Sequence, residues 1–146
     1  MALIYDFEVD IAGAKLNNRI KDELRSLFRD NLAKAHSKSR ISHQSLGVKT
    51  QRMRSLCMIA AIEILQNVGN FRFESLSALK EKHIHYLLEH WISKNHTRGT
   101  LENKITYLAT LASWLGKANI VKSAEEYEQL KSLENRTGAT EVGCKQ

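Results

Sequence analysis

Proline is absent from the 146 residues, against an average usage of about 5%. Nothing therefore removes a backbone donor, and the composition favours helices joined by glycine turns. Gly47, Gly69, Gly99 and Gly116 fall where the hydrophobic period breaks. Cysteine is nearly absent as well. Cys57 sits in an apolar run and Cys144 in a polar tail, so a disulfide framework is excluded and a reducing, cytoplasmic setting is expected. No apolar run approaches the roughly 18 residues that span a bilayer. The first charged residues are acidic, Asp6, Glu8 and Asp10, unlike the basic start of a signal peptide. Carboxylates are missing altogether between Asp30 and Glu63, where Lys34, Lys38, Arg40, Lys49, Arg52 and Arg54 accumulate. Residues 31–62 thus carry +6 and residues 92–121 carry +3, while the three remaining segments carry −1 each. This distribution says more about partners than the overall charge does.

What is present reads as one all-α domain, a compact bundle of four to five helices with an extended N-terminal arm. The expected division is an arm over 1–13, a helical domain over 14–134 and a flexible tail over 135–146. In the arm, Tyr5, Phe7, Val9 and Ile11 alternate with Asp6, Glu8 and Asp10, a period of two that predicts extended chain. No second strand candidate exists, so the arm is expected to lie against helices or to pair with a neighbouring subunit. A first helix is predicted from about Lys15 to Lys34 on the stripe Leu16, Ile20, Leu24, Leu27 and Phe28. A second begins near Thr50 and is apolar nearly all round from Leu56 to Leu65, the pattern of a central helix. Lys49, Gln51, Arg52 and Arg54 in its first turns give this rod a basic tip, to which free backbone N–H groups add.

A third helix is predicted over Leu79–Ser93, with Ile84, Leu87, Leu88, Trp91 and Ile92 inward. Its His83, His85 and His90 lack the cysteine or carboxylate company of a metal site, so neither metal nor cofactor is expected. The fourth helix organises the rest. Leu101, Ile105, Leu108, Ala112 and Leu115 form one stripe, widened by Tyr107, Leu111 and Trp114. Thr97 or Thr100 can cap its start, and Gly116 can close it. Its polar face, Asn103, Thr106, Thr110 and Ser113, is small and uncharged, flanked by Arg98, Lys104 and Lys117. Such a face suits close approach to a phosphate backbone. A last acidic helix is predicted from Ser123 to about Leu133. Asn135-Arg136-Thr137 matches a glycosylation triplet, which is meaningless without secretion.

Three patches carry a family resemblance. They are Thr50-Gln51 with Arg54, Lys82-His83-Ile84 followed by Leu87 and Trp91, and Gly99-Thr100 with Asn103-Lys104, Leu108 and the segment 114–121. Together, in this order, they resemble the N-terminal core-binding, SAM-like DNA-binding domain of tyrosine recombinases, with prophage and mobile-element integrases of proteobacteria nearest. The family often has Arg after the leucine where this chain has Ala109, and prefers Arg where it has Lys104. The resemblance implies a helical domain covering one face of a recombination-site DNA duplex, with two helices near the major groove. It also implies partners: double-stranded DNA, a catalytic recombinase domain in cis or lost, and other recombinase protomers on DNA. The catalytic Arg, His-x-x-Arg and Tyr set is missing, since none of the six histidines has Arg three residues later. The chain is therefore expected to bind and not to cut.

On this reading Lys49, Arg52, Arg54, Arg98, Lys104 and Lys117 contact phosphates, and Thr50, Thr100 and Asn103 add neutral hydrogen bonds. Gln51, Arg52 or Arg54 reads base edges. Two alternatives stay open. One is a helical protein-interaction module using the Asn103, Thr106, Thr110, Ser113 stripe; the other is a dimeric helical transcription regulator.

Overall fold

The computed structural model describes residues 5–33, 47–72 and 74–131. Among these, five α-helices and several shorter turns appear in the order α1 (Glu8–Ala12), α2 (Asn18–Asn31), α3 (Val48–Glu63), α4 (Glu81–Ser93) and α5 (Arg98–Trp114). No strand occurs among the described residues.

The N-terminal segment departs from expectation. Residues 8–12 are helical rather than extended. With no strand to pair with, the backbone satisfies itself locally: Ile11 N–H donates to Phe7 O and Gly13 N–H to Val9 O, both at 3.1 Å. Helical spacing then keeps Phe7 and Ile11 on one side and turns Val9, which is 72% exposed, to solvent. Ile11 is fully buried, and Tyr5 and Phe7 pack against the core.

Helix α2 begins at Asn18, later than predicted, because Asn17 caps it by accepting from Ile20 N–H at 2.8 Å. Its apolar stripe Ile20, Leu24 and Phe28 is buried. Its predicted end at Lys34 lies outside the described residues, as do the residues up to 46. Helix α3 passes into a π turn over Ile64–Val68, with Gly69 N–H reaching Ile64 O at 2.9 Å and Phe71 N–H reaching Leu65 O at 3.0 Å. This widened turn delivers the Phe71 ring edge-on to Tyr86 (5.3 Å between centroids) and His83 (4.7 Å). It leaves no room at Gly69, where a Cβ would stand 2.9 Å from Phe71 ring carbons and 3.0 Å from Tyr86. Gly69→Ala is therefore expected to destabilise the fold by about 1–2 kcal/mol through overpacking. A lowered urea midpoint with an unchanged m-value checks this.

Helix α5 is capped by Thr97, whose Oγ1 accepts from Thr100 N–H at 3.2 Å. It ends as predicted at Gly116, whose φ is +75°. Gly116 N–H bonds Ser113 O at 3.1 Å and Lys117 N–H bonds Ala112 O at 2.8 Å, the paired bonds of a Schellman end. The predicted acidic helix from Ser123 is not continuous. A 3-10 turn over Ala124–Glu126 precedes Tyr127, whose backbone is extended. Tyr127 forces the break: it is buried, its hydroxyl accepts from Lys122 N–H at 2.9 Å, and its ring meets His85 edge-on. Helical backbone resumes only at residues 128–131.

The core gathers residues from every helix, including Leu24, Phe28, Met58, Ile62, Ile84, Leu88, Leu101 and Leu108. Among the described residues, no helix is long and apolar enough to cross a membrane.

Candidate nucleic-acid interface

Helix α3 divides cleanly around its axis. Met58, Ala61 and Ile62 are buried on one side, and Gln51, Arg54 and Ser55 lie on that same side. At 100° per residue, Lys49, Arg52, Met53, Leu56 and Ala60 share the opposite arc. Lys49, Thr50, Arg52, Met53 and Ala60 are exposed, and Leu56 and Cys57 are half-buried. From Lys49 to Ala60 this arc contains no carboxylate; Glu63, in line with it at the far end of α3, accepts from Lys15 N–H at 2.8 Å. Gly47 has no side chain to cap the first turn, whose amides carry the positive end of the helix.

Two of the predicted contacts lie on the buried side. Gln51 is 0% exposed and its Oε1 accepts from Tyr5 N–H at 2.8 Å. Arg54 is 6% exposed. Its Nη1 donates to Leu32 O at 3.2 Å, and its guanidinium stacks on Trp114, 5.6 Å from the ring centroid. Burial lowers the Arg54 pKa below its ordinary value, with nearby Tyr107 opposing. Both side chains tie elements together instead of facing outward. The N-terminal segment also borders the exposed arc. The Tyr5 hydroxyl donates to the Asp10 carboxylate, which raises the tyrosine pKa, while the Arg52 guanidinium at the same hydroxyl lowers it.

The predicted residues of α5 are scattered around that helix. Arg98 Nε holds Glu102 Oε2 at 2.9 Å. Thr100 belongs to the cap, receiving the Thr97 hydroxyl at 3.1 Å. Asn103 is exposed. Lys104 lays its Nζ 4.8 Å over the Trp91 ring, and its charge opposes the burial that raises the Cys57 pKa. Lys104 therefore stands beside α3. Lys117 follows the Gly116 turn and is half-buried.

The two helix starts do not meet. Arg54, near the beginning of α3, rests on Trp114 at the end of α5. Arg98 is 16 residues before Trp114, about 24 Å along the axis. The cations of α3 thus form a strip along that helix with Lys104 beside it, and the starts of α3 and α5 do not share one surface.

The small polar stripe of α5 turns inward on itself. The hydroxyls of Thr106, Thr110 and Ser113 donate to Glu102 O (3.1 Å), Thr106 O (3.0 Å) and Thr110 O (2.8 Å), the back-bonding habit of such residues in mid-helix. Thr106 lines a groove shared with Glu102, Glu125 and Lys122, where two carboxylates outnumber one cation. Met53, by contrast, is 49% exposed in the midst of the cationic arc, and sequence reasoning passed over it. Its place four residues after Lys49 and beside Arg52 was the available signal. No group of three or more metal-ligating side chains forms among the described residues.

Comparison with protein families matches residues 26–121 to the family described as "Phage integrase, N-terminal". No curated protein and no solved structure gives a significant match. The match covers α3, α4 and α5 whole, together with the C-terminal end of α2. The helical bundle agrees with the SAM-like fold of that domain, which is non-catalytic in itself. This chain belongs to the phage integrase N-terminal family.

Proposed function

We propose that this domain binds duplex DNA in site-specific recombination through the exposed arc of α3, without cutting the strands itself. Lys49, Arg52, Lys104 and Lys117 contact phosphates, and Thr50 and Asn103 add neutral hydrogen bonds. Arg52 also reads base edges. Gln51 and Arg54 drop out because they are buried. Thr100 and Arg98 serve the start of α5, through the Thr97 cap and the Glu102 ion pair. The observation that carries the reading is the carboxylate-free arc from Lys49 to Ala60, beside which Lys104 supplies a further cation. A catalytic domain carrying Arg, His-x-x-Arg and Tyr would act on the strands while this domain holds the duplex.

The electrostatic part is tested by fluorescence anisotropy on a duplex over a range of salt. With four phosphates neutralised, log K against log[salt] is expected to slope between about −3 and −4. A flat dependence sinks the proposal.

Met53 adds a readout that charge cannot supply. An exposed thioether in a cationic arc suits the C5-methyl of thymine. Replacing thymine by uracil in a duplex selected by the wild-type protein is expected to weaken binding about fourfold, since one buried methyl is worth about 0.8 kcal/mol. Met53→Ala is expected to bind both duplexes alike. Equal loss in the variant would assign the methyl contact elsewhere.

A further inference from the structure

We infer that the pocket at the start of α4, framed by Arg72, Lys80 and Lys82, is a phosphate-binding site separate from the α3 arc. The pocket has a volume of about 220 Å³ and is lined by Phe71, Arg72, Ala78, Lys80, Lys82 and His83. Three of these six side chains are cationic, and none is a carboxylate.

The neighbouring acids are directed elsewhere. Glu81, between the two lysines in sequence, pairs with Lys122 at 3.2 Å and approaches His85 at 3.6 Å. Glu23 receives the Ser75 hydroxyl at 2.8 Å and Leu76 N–H at 2.7 Å. Glu74 lines an adjoining groove with Asn17 and Asn67, which Arg72 also borders.

The pocket is held by rigid parts. His83 is 3% exposed and its Nδ1 accepts from Lys80 N–H at 2.8 Å, fixing the turn that carries both lysines. Lys82 Nζ lies 5.9 Å from the Phe71 ring centroid, and Phe71 is itself locked against His83 and Tyr86. The His83 imidazole is depressed below its ordinary pKa, first by burial and then by the charges of Lys82 and Lys80. Both ammonium groups therefore act on the same small volume. Clustered like charges repel, and an anion seated among them relieves that repulsion. The positive end of α4 adds to the attraction, and the planar fork of Arg72 matches phosphate oxygens.

This site stands apart from the proposed DNA surface. The pocket opens beyond the π turn that ends α3, whereas Lys49 and Arg52 lie at the other end. The 19 steps from Lys49 to Val68 span about 28 Å of helix. The phosphate could come from a DNA backbone or from a small phosphorylated ligand, and the experiment separates these sources.

The probe is inorganic phosphate, titrated into the 15N-labelled 146-residue chain against sodium chloride at matched ionic strength. The wild type is expected to show saturable amide shifts at Phe71, Arg72, Lys80 and Lys82. The triple variant Arg72→Gln, Lys80→Gln, Lys82→Gln replaces exposed side chains and should keep its thermal midpoint while losing those shifts. In parallel, the salt dependence of duplex binding is compared for the two proteins. A slope shallower by about two to three in the variant assigns the site to DNA phosphates. Saturable shifts with an unchanged slope assign it to a small phosphorylated ligand. Identical responses of wild type and variant to phosphate, with unchanged slopes, overturn the inference. The phosphate arm contains no DNA, so it stands or falls independently of the α3 surface.

Discussion

Arg54→Ala is expected to lower the unfolding free energy by about 2–4 kcal/mol, among the large effects for a single substitution. The side chain is 6% exposed, donates to the Leu32 carbonyl and stacks on Trp114. Alanine would open a cavity between three helices and leave the carbonyl at the end of α2 without this donor. It would also remove a cation from the negative end of that helix. Arg54→Met, which keeps much of the volume, should recover part of the loss but not the carbonyl bond. Urea denaturation of both variants measures the difference. If Arg54→Ala unfolds like the wild type yet loses affinity for DNA, Arg54 is a surface contact and not a clamp.

Reversing charge on the exposed arc should do the opposite. The double variant Lys49→Glu, Arg52→Glu removes two of the proposed phosphate contacts and puts two like charges in their place. Its affinity for duplex DNA is expected to fall at least about 100-fold near 0.1 M salt, with the salt slope shallower by about two. Its stability should stay within about 0.5 kcal/mol of wild type, as for surface substitutions generally. Anisotropy and thermal melting on the same preparations separate the two effects. Binding within twofold of the wild type would remove α3 from the interface.

The contrast between neighbours two residues apart shows what the sequence made legible. Helix type and rough position followed from periodicity for α2, α4 and α5, and Gly116 closes α5 as its place after Leu115 implied. The buried side of α3 was harder to see, because apolar residues surround its middle turns. Yet Gln51, Ser55, Met58, Ile62 and Leu65 recur at steps of four and three, and all five are buried. Polar residues on that line were read as surface because their chemistry suits DNA. The interior wanted them for other reasons: Gln51 to hold Tyr5, Arg54 to hold Leu32.

Other features depend on contacts distant in sequence. The alternation of residues 5–11 carried a strand pattern, but a strand needs a neighbour, and the bundle offers none among the described residues. The hydroxyls of α5 looked available because their back-bonding to the preceding turn leaves no mark on composition. The pocket at α4 joins Arg72 to Lys80 and Lys82 across a loop, and only folding brings them around one volume.

The guanidinium wedged between Leu32 and Trp114 also sets the azimuth of α3. Each residue advances a helix by about 100°, so the bond that holds Arg54 inward dictates the compass bearing of Lys49, Arg52 and Met53. One residue inserted between Arg52 and Arg54 would swing the first turn through that angle and carry its cations off the strip. On the proposed reading, the strip that faces DNA is thus phased from within, by a side chain that is itself buried.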